Sequence, residues 1–516
     1  MSTKKPKPTQ RKIAAHTKDK TFGNHFLALF CGATLTLSFA PFSIWIIAVG
    51  SVGLFSLLLM GAGRARSFAL AFSFGIGLFG TGASWIYVSI HDYGQASVAL
   101  AAGLTAIFVV GIALVFALPF IFYGMLNNRL AATRLLAFPA LWVLGEWFRT
   151  WFLTGFPWLF LGYAPLETPL AGWAPVTGIY GLSGAVALTG AAAGLLLTER
   201  FSSAAIGGLV ILAGVWGGGF YLQQKSWTEA TGDTLSVALV QPNHPLLEKW
   251  NPDAIPTILD NFTATNAGLS DKDIVVWPEA AIPRLQHTVQ PFLNQQDKLA
   301  AASNTALIVG IPIADHETDY YNGVIGLGVA TGEYRKQRLV PFGEYVPLEQ
   351  LLRGAIAFFD LPMSAFKAGP KNQTPIHIGN GIQIATAICY EIVYPDLVAE
   401  NTRVANILLT VSNDTWFGRS IGPHQHLQMA QMRALENGKP LIRATNDGFT
   451  ALINAKGKVQ KIIPRFESGI LEGWVTPRIG ETPYAKRGSI PVIILSLFVL
   501  FMVGLGRVFS KTRTSN

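Results

Sequence analysis

Eight hydrophobic stretches constrain this chain more than any other feature: roughly 25–41, 43–61, 68–88, 97–121, 135–153, 176–198, 204–222 and 488–508. A helix needs about 20 consecutive apolar residues to cross the hydrocarbon core of a bilayer, and these stretches cluster around that length. The first is short and closed by Pro41, so 25–61 also reads as one re-entrant pair. The composition agrees, with 50% of the residues hydrophobic and 13% charged, against about 25% charged in a soluble domain. Neither an ordinary soluble protein nor a disordered chain has this balance. The fifth stretch carries Glu146 and Arg149, which are costly in lipid unless paired or placed near an interface. They lie one helical turn apart, so an ion pair and a shared headgroup-level position are both open.

Charge placement sets the expected orientation. The formal net charge is +9, and residues 1–20 and the tail from Arg507 account for all of it. A nucleic-acid binder would instead carry its basic residues on a folded face. The N-terminal tail, Arg64, Arg66, Arg129, Arg134, Arg200 and the C-terminal tail together put fifteen Lys/Arg on one side of the stretches. The opposite short connections, near 42, 91–96 and 154–175, carry none. The positive-inside rule then places both termini in the cytoplasm. Seven spans precede residue 223, so the polar segment 223–487 is expected outside. The first apolar run continues into a second with no obvious cleavage site, unlike a signal peptide. The expected organisation is a basic cytoplasmic tail (1–22), a bundle of seven spans (23–222), an extramembrane domain (223–487), an eighth span (488–508) and a cytoplasmic tail (509–516).

The extramembrane segment reads as a layered α/β sandwich. Short β-rich runs recur at Leu235–Val240, Asp273–Trp277, Ala306–Pro312, Val324–Val329, Ile382–Cys389, Ile407–Val411 and Thr450–Asn454. Helix-like stretches such as Asp253–Ala267 and His424–Asn437 lie between several of them. Two cysteines exclude a disulfide framework: Cys31 lies in an apolar stretch and Cys389 in the polar half. Cys389 is therefore expected as a free thiol.

Reactive residues sit at the ends of these runs. Asp273-Ile-Val-Val-Trp-Pro-Glu279 ends in a carboxylate, and Ile382-Gln-Ile-Ala-Thr-Ala-Ile-Cys389 ends in a thiol. Between them, Tyr334-Arg-Lys-Gln-Arg-Leu-Val-Pro-Phe-Gly-Glu344 offers Lys336 and Glu344. Each alone has a plain structural reading: a core thiol, a helix cap, a solvated lysine. Together they have a chemical one. A thiol is only slightly ionised near neutral pH and needs a base, which Glu279 can supply. Lys336 and the Tyr390 backbone N–H can stabilise the oxyanion formed when Cys389 attacks a carbonyl. These parts specify acyl transfer through a thioester. His424 and His426 make only a weak metal pair, because no third ligand is near and residues two apart on a helix diverge. Gly332, Gly343 and Gly418 suit turns better than phosphate binding. No Gly-x-x-x-x-Gly-Lys-Ser/Thr loop is present.

Trp-Pro-Glu279, Lys336 with Leu-Val-Pro-Phe-Gly-Glu344, and Cys389-Tyr-Glu391 resemble the Glu–Lys–Cys signature of the nitrilase superfamily. Seven spans before such a domain and one after it resemble its membrane-integrated branch, the apolipoprotein N-acyltransferase family. Ser412-Asn-Asp-Thr-Trp-Phe-Gly418 and Gly422-Pro-His-Gln-His426 are similar to that family's pattern, and the resemblance covers nearly everything after residue 21. It implies an αββα-type catalytic domain facing the periplasm of a bacterial inner membrane, with no cofactor and no metal. It implies Glu279 as general base, Lys336 as oxyanion stabiliser and Cys389 as nucleophile, supported by Glu344, Tyr390 and Glu391. Trp250 and Trp416 match aromatic positions near the substrate path. The implied donor is a membrane phospholipid, the acceptor a diacylglyceryl-modified apolipoprotein, and nothing demands more than a monomer. The family often has His two residues after the lysine; here Arg338 stands there.

Two segments are candidates for lipid contact. Phe156–Tyr163 is aromatic and suits a membrane interface, and Leu348–Phe366 is apolar and follows Glu344, as a lid would. Ordinary packing between domain and bundle is the alternative for both. Two rival functions share parts of this pattern. A membrane-anchored carbon-nitrogen hydrolase would use the same triad with water as acceptor, but would not need eight spans. A transporter with an outer binding domain would carry more ionisable residues within its spans and no intact triad.

Overall fold

The structure is a computed structural model that describes residues 8–126, 128–199, 202–315, 319–345 and 366–514. The apolar stretches form helices: Pro8–Leu35, Trp45–Leu58, Arg64–Gly82, Val98–Tyr123, Phe138–Trp151, Ala174–Thr198, Ser203–Gln223 and Ile490–Thr514. Three of the described helical segments, Val98–Tyr123, Pro169–Thr198 and Ser203–Gln223, are long and apolar enough to cross a membrane. A fourth results if Arg64–Gly82 and Trp85–Tyr93, bent by 51°, count as one span. Glu146 and Arg149 are both buried in the bundle, and each has its own partners. Glu146 accepts from Trp142 Nε1 at 2.9 Å and from the Leu161 N–H at 2.7 Å. Arg149 donates to the Trp158 carbonyl at 2.6 Å and lies over the rings of Phe79 and Phe160. The two charges therefore tie the loop 158–161 to the bundle.

That loop corrects one expectation. Trp158, Phe160, Leu161 and Tyr163 are at most 1% exposed, so these aromatics are packing residues and not an interfacial belt. The expected lid, Leu348–Phe366, lies outside the described residues except for Phe366.

The domain after residue 223 is two facing six-stranded sheets. The first runs in the order Gly469–Val475, Leu235–Gln241, Ile274–Val276, Ala306–Ala314, Tyr320–Gly328, Glu333–Arg335. The second runs Val459–Ile463, Thr450–Ile453, Leu441–Thr445, Ile407–Ser412, Gln383–Ile388, Ile376–His377. Three strands at the heart of each sheet are parallel, and the flanking strands are antiparallel. Parallel strands are buried on both faces, and alternation along them assigns the faces. Val237, Leu239, Ile274, Val276 and Ile308 meet Ile384, Ile388, Ile407, Leu409 and Ile442 between the sheets. The alternate residues Ala238, Val275, Leu307 and Val309 pack on the helices Ile255–Ala267 and Gln290–Ala302.

The outer face of the second sheet has no separate solvent layer. Ala385, Ala387, Leu408 and Leu441 pack with Met429 and Met432 of the helix Gly422–Asn437 in one core continuous with the bundle. Hydrogen bonds lock that helix down: Glu436 Oε1 accepts from the Ile179 N–H at 2.7 Å, and Gln425 Oε1 accepts from Trp158 Nε1 at 2.5 Å. The carboxyl ends of the parallel strands of both sheets lead into Glu279, Cys389, Asp414 and Asp447. Such ends are the usual rim for chemistry in α/β sheets.

Candidate active site

Glu279 follows the strand Ile274–Val276 through Trp277 and Pro278. The loop is zipped to the neighbouring strand: the Trp277 N–H donates to the Ile308 carbonyl and the Ala281 N–H to the Gly310 carbonyl. Gly310 makes the approach possible, since a Cβ there would lie 2.2 Å from the Pro278 oxygen and 2.9 Å from the Glu279 Cα. Gly310→Ala must push this loop away. The expected result is a lower thermal midpoint, from an overpacking cost of about 1–3 kcal/mol.

The Glu279 side chain, 7% exposed, is held at both oxygens. Oε1 accepts from Asn322 Nδ2 and Oε2 from the Asn413 N–H, both at 2.7 Å. Lys336 Nζ lies 3.6 Å from Oε1 and donates to Glu344 Oε1 at 2.8 Å. Asn322 also donates to Glu344 Oε1 at 2.9 Å, so one amide bridges both carboxylates. Glu344 Oε2 accepts from the Val340 N–H at 2.8 Å. Burial alone would lower the Lys336 pKa, but the carboxylates of Glu344 and Glu279 outweigh it and hold the ammonium above its ordinary value.

Cys389 begins a single 3-10 turn, Cys389–Val393, directly after the strand Gln383–Ile388. Its φ is +50°, a left-handed backbone that a non-glycine residue keeps only when its surroundings impose it. Burial first, then the Glu279 charge, pushes its thiol well above the usual range, while Lys336 acts the other way. The resting group is therefore a thiol, and a base must take its proton.

Glu391, fully buried, ties the turn to the lysine segment. Oε1 accepts from the Gln337 N–H at 2.6 Å, the Arg338 N–H at 3.1 Å and the Tyr334 hydroxyl at 3.1 Å. Oε2 accepts from the Ile388 N–H at 2.7 Å. Burial pushes its carboxyl up to about 7 against these donors. Arg338, two residues after Lys336, lies over the Tyr394 ring at 5.2 Å. Tyr390 and Tyr394 reach the bundle, donating to the carbonyls of Gly155 and Thr154 at 3.3 and 3.0 Å.

Among the described residues the two tryptophans make no hydrogen bond to this cluster. The Trp416 carbonyl accepts from Ser89 Oγ at 2.8 Å, and its ring meets Tyr93 edge-on at 6.1 Å, at the joint with the bundle. Trp250 ends the short helix Leu246–Lys249. Its neighbour Lys249, 2% exposed, donates to the Glu279 carbonyl at 3.2 Å. Burial pulls the Lys249 ammonium down to about 8. Among the described residues, no group of three or more His, Cys, Asp or Glu is placed to hold a metal ion.

Known proteins resemble this chain along most of its length. The family model described as apolipoprotein N-acyltransferase N-terminal domain matches residues 31–192, and that described as carbon-nitrogen hydrolase matches residues 236–484. The apolipoprotein N-acyltransferase of Pseudomonas aeruginosa is 47% identical over 491 residues, covering 94% of this chain and 96% of the relative. The chain belongs to the apolipoprotein N-acyltransferase family. The enzyme of that name from Pseudomonas syringae pv. tomato is 46% identical, covering 95% of this chain and 98% of its own. A carbon-nitrogen hydrolase structure from Helicobacter pylori, 16% identical, covers 50% of this chain and 92% of its own with a TM-score of 0.37.

Asn322, Lys249, Asp414, His426 and Arg443 were not assigned a role from sequence. Asp414 and His426 fall in the segments Ser412–Gly418 and Gly422–His426 that are similar to the family's pattern, and a metal role for the His424/His426 pair is a weak reading of the sequence. The structure puts the two histidines on different sides of their helix, His424 edge-on to Phe449 and His426 against Asp414.

Proposed function

We propose that this chain moves a fatty acyl chain from a membrane phospholipid, through a thioester on Cys389, to the α-amine of a diacylglyceryl-cysteine at the N-terminus of an apolipoprotein. Glu279 takes the thiol proton as Sγ attacks the ester carbonyl. Lys336 Nζ and the Tyr390 N–H stabilise the oxyanion. Collapse expels the lysophospholipid alkoxide, which recovers the proton from Glu279. The acceptor amine then attacks the thioester, its proton passes through Glu279 to the departing thiolate, and an amide remains. Thioester to amide is downhill, so the reaction needs no nucleotide or cofactor. Glu344 and Asn322 position the lysine and the base, Glu391 and Tyr390 hold the turn, and Trp250 and Trp416 border the substrate path.

The observation that supports this reading is the buried Glu279–Lys336–Glu344 cluster whose charges bear on Cys389, a cysteine held at a left-handed φ, in a domain whose core is continuous with the helical bundle. Both substrates are held in lipid, and such a site lies where a soluble enzyme's would not. The matching topology has eight spans, cytoplasmic termini, a periplasmic domain at 223–487 and an inner-membrane location, with a monomer sufficient for the reaction. A two-step mechanism predicts parallel double-reciprocal lines when initial rates are measured against phospholipid at several concentrations of a diacylglyceryl-cysteine peptide. Intersecting lines would contradict it.

A further inference from the structure

His426 takes no part in the steps above, yet it rests against the nucleophile's own backbone. It lies on the helix Gly422–Asn437 and is 1% exposed. Its Nε2 is 3.1 Å from the Cys389 carbonyl oxygen. A carbonyl oxygen only accepts, so Nε2 carries a proton. Nδ1 lies 2.9 Å from Asp414 Oδ1 and 3.1 Å from Arg443 Nη2. Donating to the aspartate and accepting from the arginine both leave the Nε2 proton in place. Arg443 Nη2 closes the cluster on Asp414 Oδ2 at 2.7 Å. Burial works against the charge on Asp414, but Arg443 and His426 hold its carboxyl down at about 2. With Asp414 2% and Arg443 0% exposed, the imidazole has little freedom to turn.

We propose that His426, fixed by Asp414 and Arg443, is the positioning residue that aims the Tyr390 N–H into the oxyanion hole. A trans peptide unit is planar, so the Cys389 carbonyl and the Tyr390 N–H point in opposite directions. Anchoring the oxygen on His426 turns the N–H away from the helix Gly422–Asn437. Tyr390 is the second residue of its 3-10 turn, where an N–H has no acceptor within the turn. The peptide needs an anchor because Cys389 sits at φ +50°. On the other flank of the nucleophile, Glu391 Oε2 holds the Ile388 N–H. His426 thus acts on the transition state through the backbone, without touching substrate.

The proposal rests on acyl chemistry at Cys389, and two electrophiles separate it from general damage. Phospholipid acylates the thiol through a tetrahedral oxyanion. Iodoacetamide alkylates it by displacement at a saturated carbon, with no oxyanion. The full chain in detergent is compared with His426→Asn, which keeps a donor toward Asp414 but not toward Cys389, and His426→Gln, which returns an amide N–H near the Nε2 position. His426→Asn should form the acyl adduct about 10²-fold more slowly, the effect of losing one oxyanion donor, at unchanged half-saturating phospholipid. Alkylation should stay within twofold of wild type, and His426→Gln should recover at least tenfold of the lost rate. If His426→Asn does not fold, His426→Phe fills the same space without a donor and serves the same comparison. Equal slowing with both electrophiles, or acylation at the wild-type rate, would overturn the proposal. A wild-type protein that forms no acyl adduct would instead overturn the reading of the reaction itself.

Discussion

Cys389→Ala is expected to lower acyl transfer by on the order of 10⁴-fold or more while the protein stays folded. Removing a covalent nucleophile leaves only binding and electrostatic contributions to the rate, and no second thiol is available in the polar domain, since Cys31 is buried in the bundle. The fold should tolerate the change. The side chain is small and partly exposed, and the turn is held through backbone groups by Glu391 and His426. Lysophospholipid release reports the activity, and the thermal midpoint in detergent reports the fold. Full activity in a folded Cys389→Ala protein would sink the mechanism.

Lys336→Met should affect stability as well as rate. The ammonium is 1% exposed between Glu344 and Glu279, and the two carboxylates share Asn322. Removing the cation leaves two adjacent buried carboxylates, and breaking a buried pair in this way costs about 3–5 kcal/mol. The sign of the pH dependence follows. Two carboxylates in one site cannot both ionise readily, so one keeps a proton in the folded variant and has a raised pKa. The folded state then binds more protons than the unfolded chain, and stability falls as pH rises. Lys336→Met should therefore lie nearest to wild type close to the ordinary glutamate pKa of about 4.3 and fall progressively behind it toward neutrality. Thermal midpoints of both proteins between pH 4.5 and 8 test this. A deficit that does not change with pH would show that the carboxylates are not coupled through the lysine. Loss of an oxyanion donor also predicts a rate about 10²–10³-fold lower at any pH where the variant is folded.

Much of this architecture was legible because local chemistry announces it. The apolar runs fold as helices, three or four of which are long and apolar enough among the described residues to cross a membrane, and the polar block between residues 223 and 487 contrasts with them. Strands such as Ala306–Ala314 and Ile407–Ser412 are buried on both faces and read as short apolar runs. Leu441–Thr445 shows no clear strand pattern in sequence because Arg443 interrupts it, and that arginine is fully buried against Asp414. Gly469–Val475 and Val459–Ile463 lie at the sheet edges and are partly exposed, and glycines and charged residues interrupt their apolar runs, so they carry a weaker signal.

The site divides along the same line. Glu279, Lys336 and Cys389 sit at strand ends in recognisable segments. Asn322 lies in Tyr321-Asn-Gly, with nothing around it to mark a bridge between two carboxylates more than twenty residues away on either side. His426 meets Asp414 and the Cys389 carbonyl only because one helix crosses the ends of two strands. Contacts of that kind come from the tertiary arrangement, and no spacing along the chain encodes them. Phe156–Tyr163 shows the converse. Its composition suits a membrane interface, but it is consumed by packing between domain and bundle, where Trp158 donates to Gln425 and stacks on Tyr390.

The most direct measurement is the intact mass of detergent-purified protein after incubation with phospholipid alone, followed by peptide mapping. The account predicts one added acyl group on Cys389, stable in buffer, discharged on adding a diacylglyceryl-cysteine peptide, and recovered as an amide on that peptide's N-terminus. No adduct, or an acyl group on any residue other than Cys389, would contradict it.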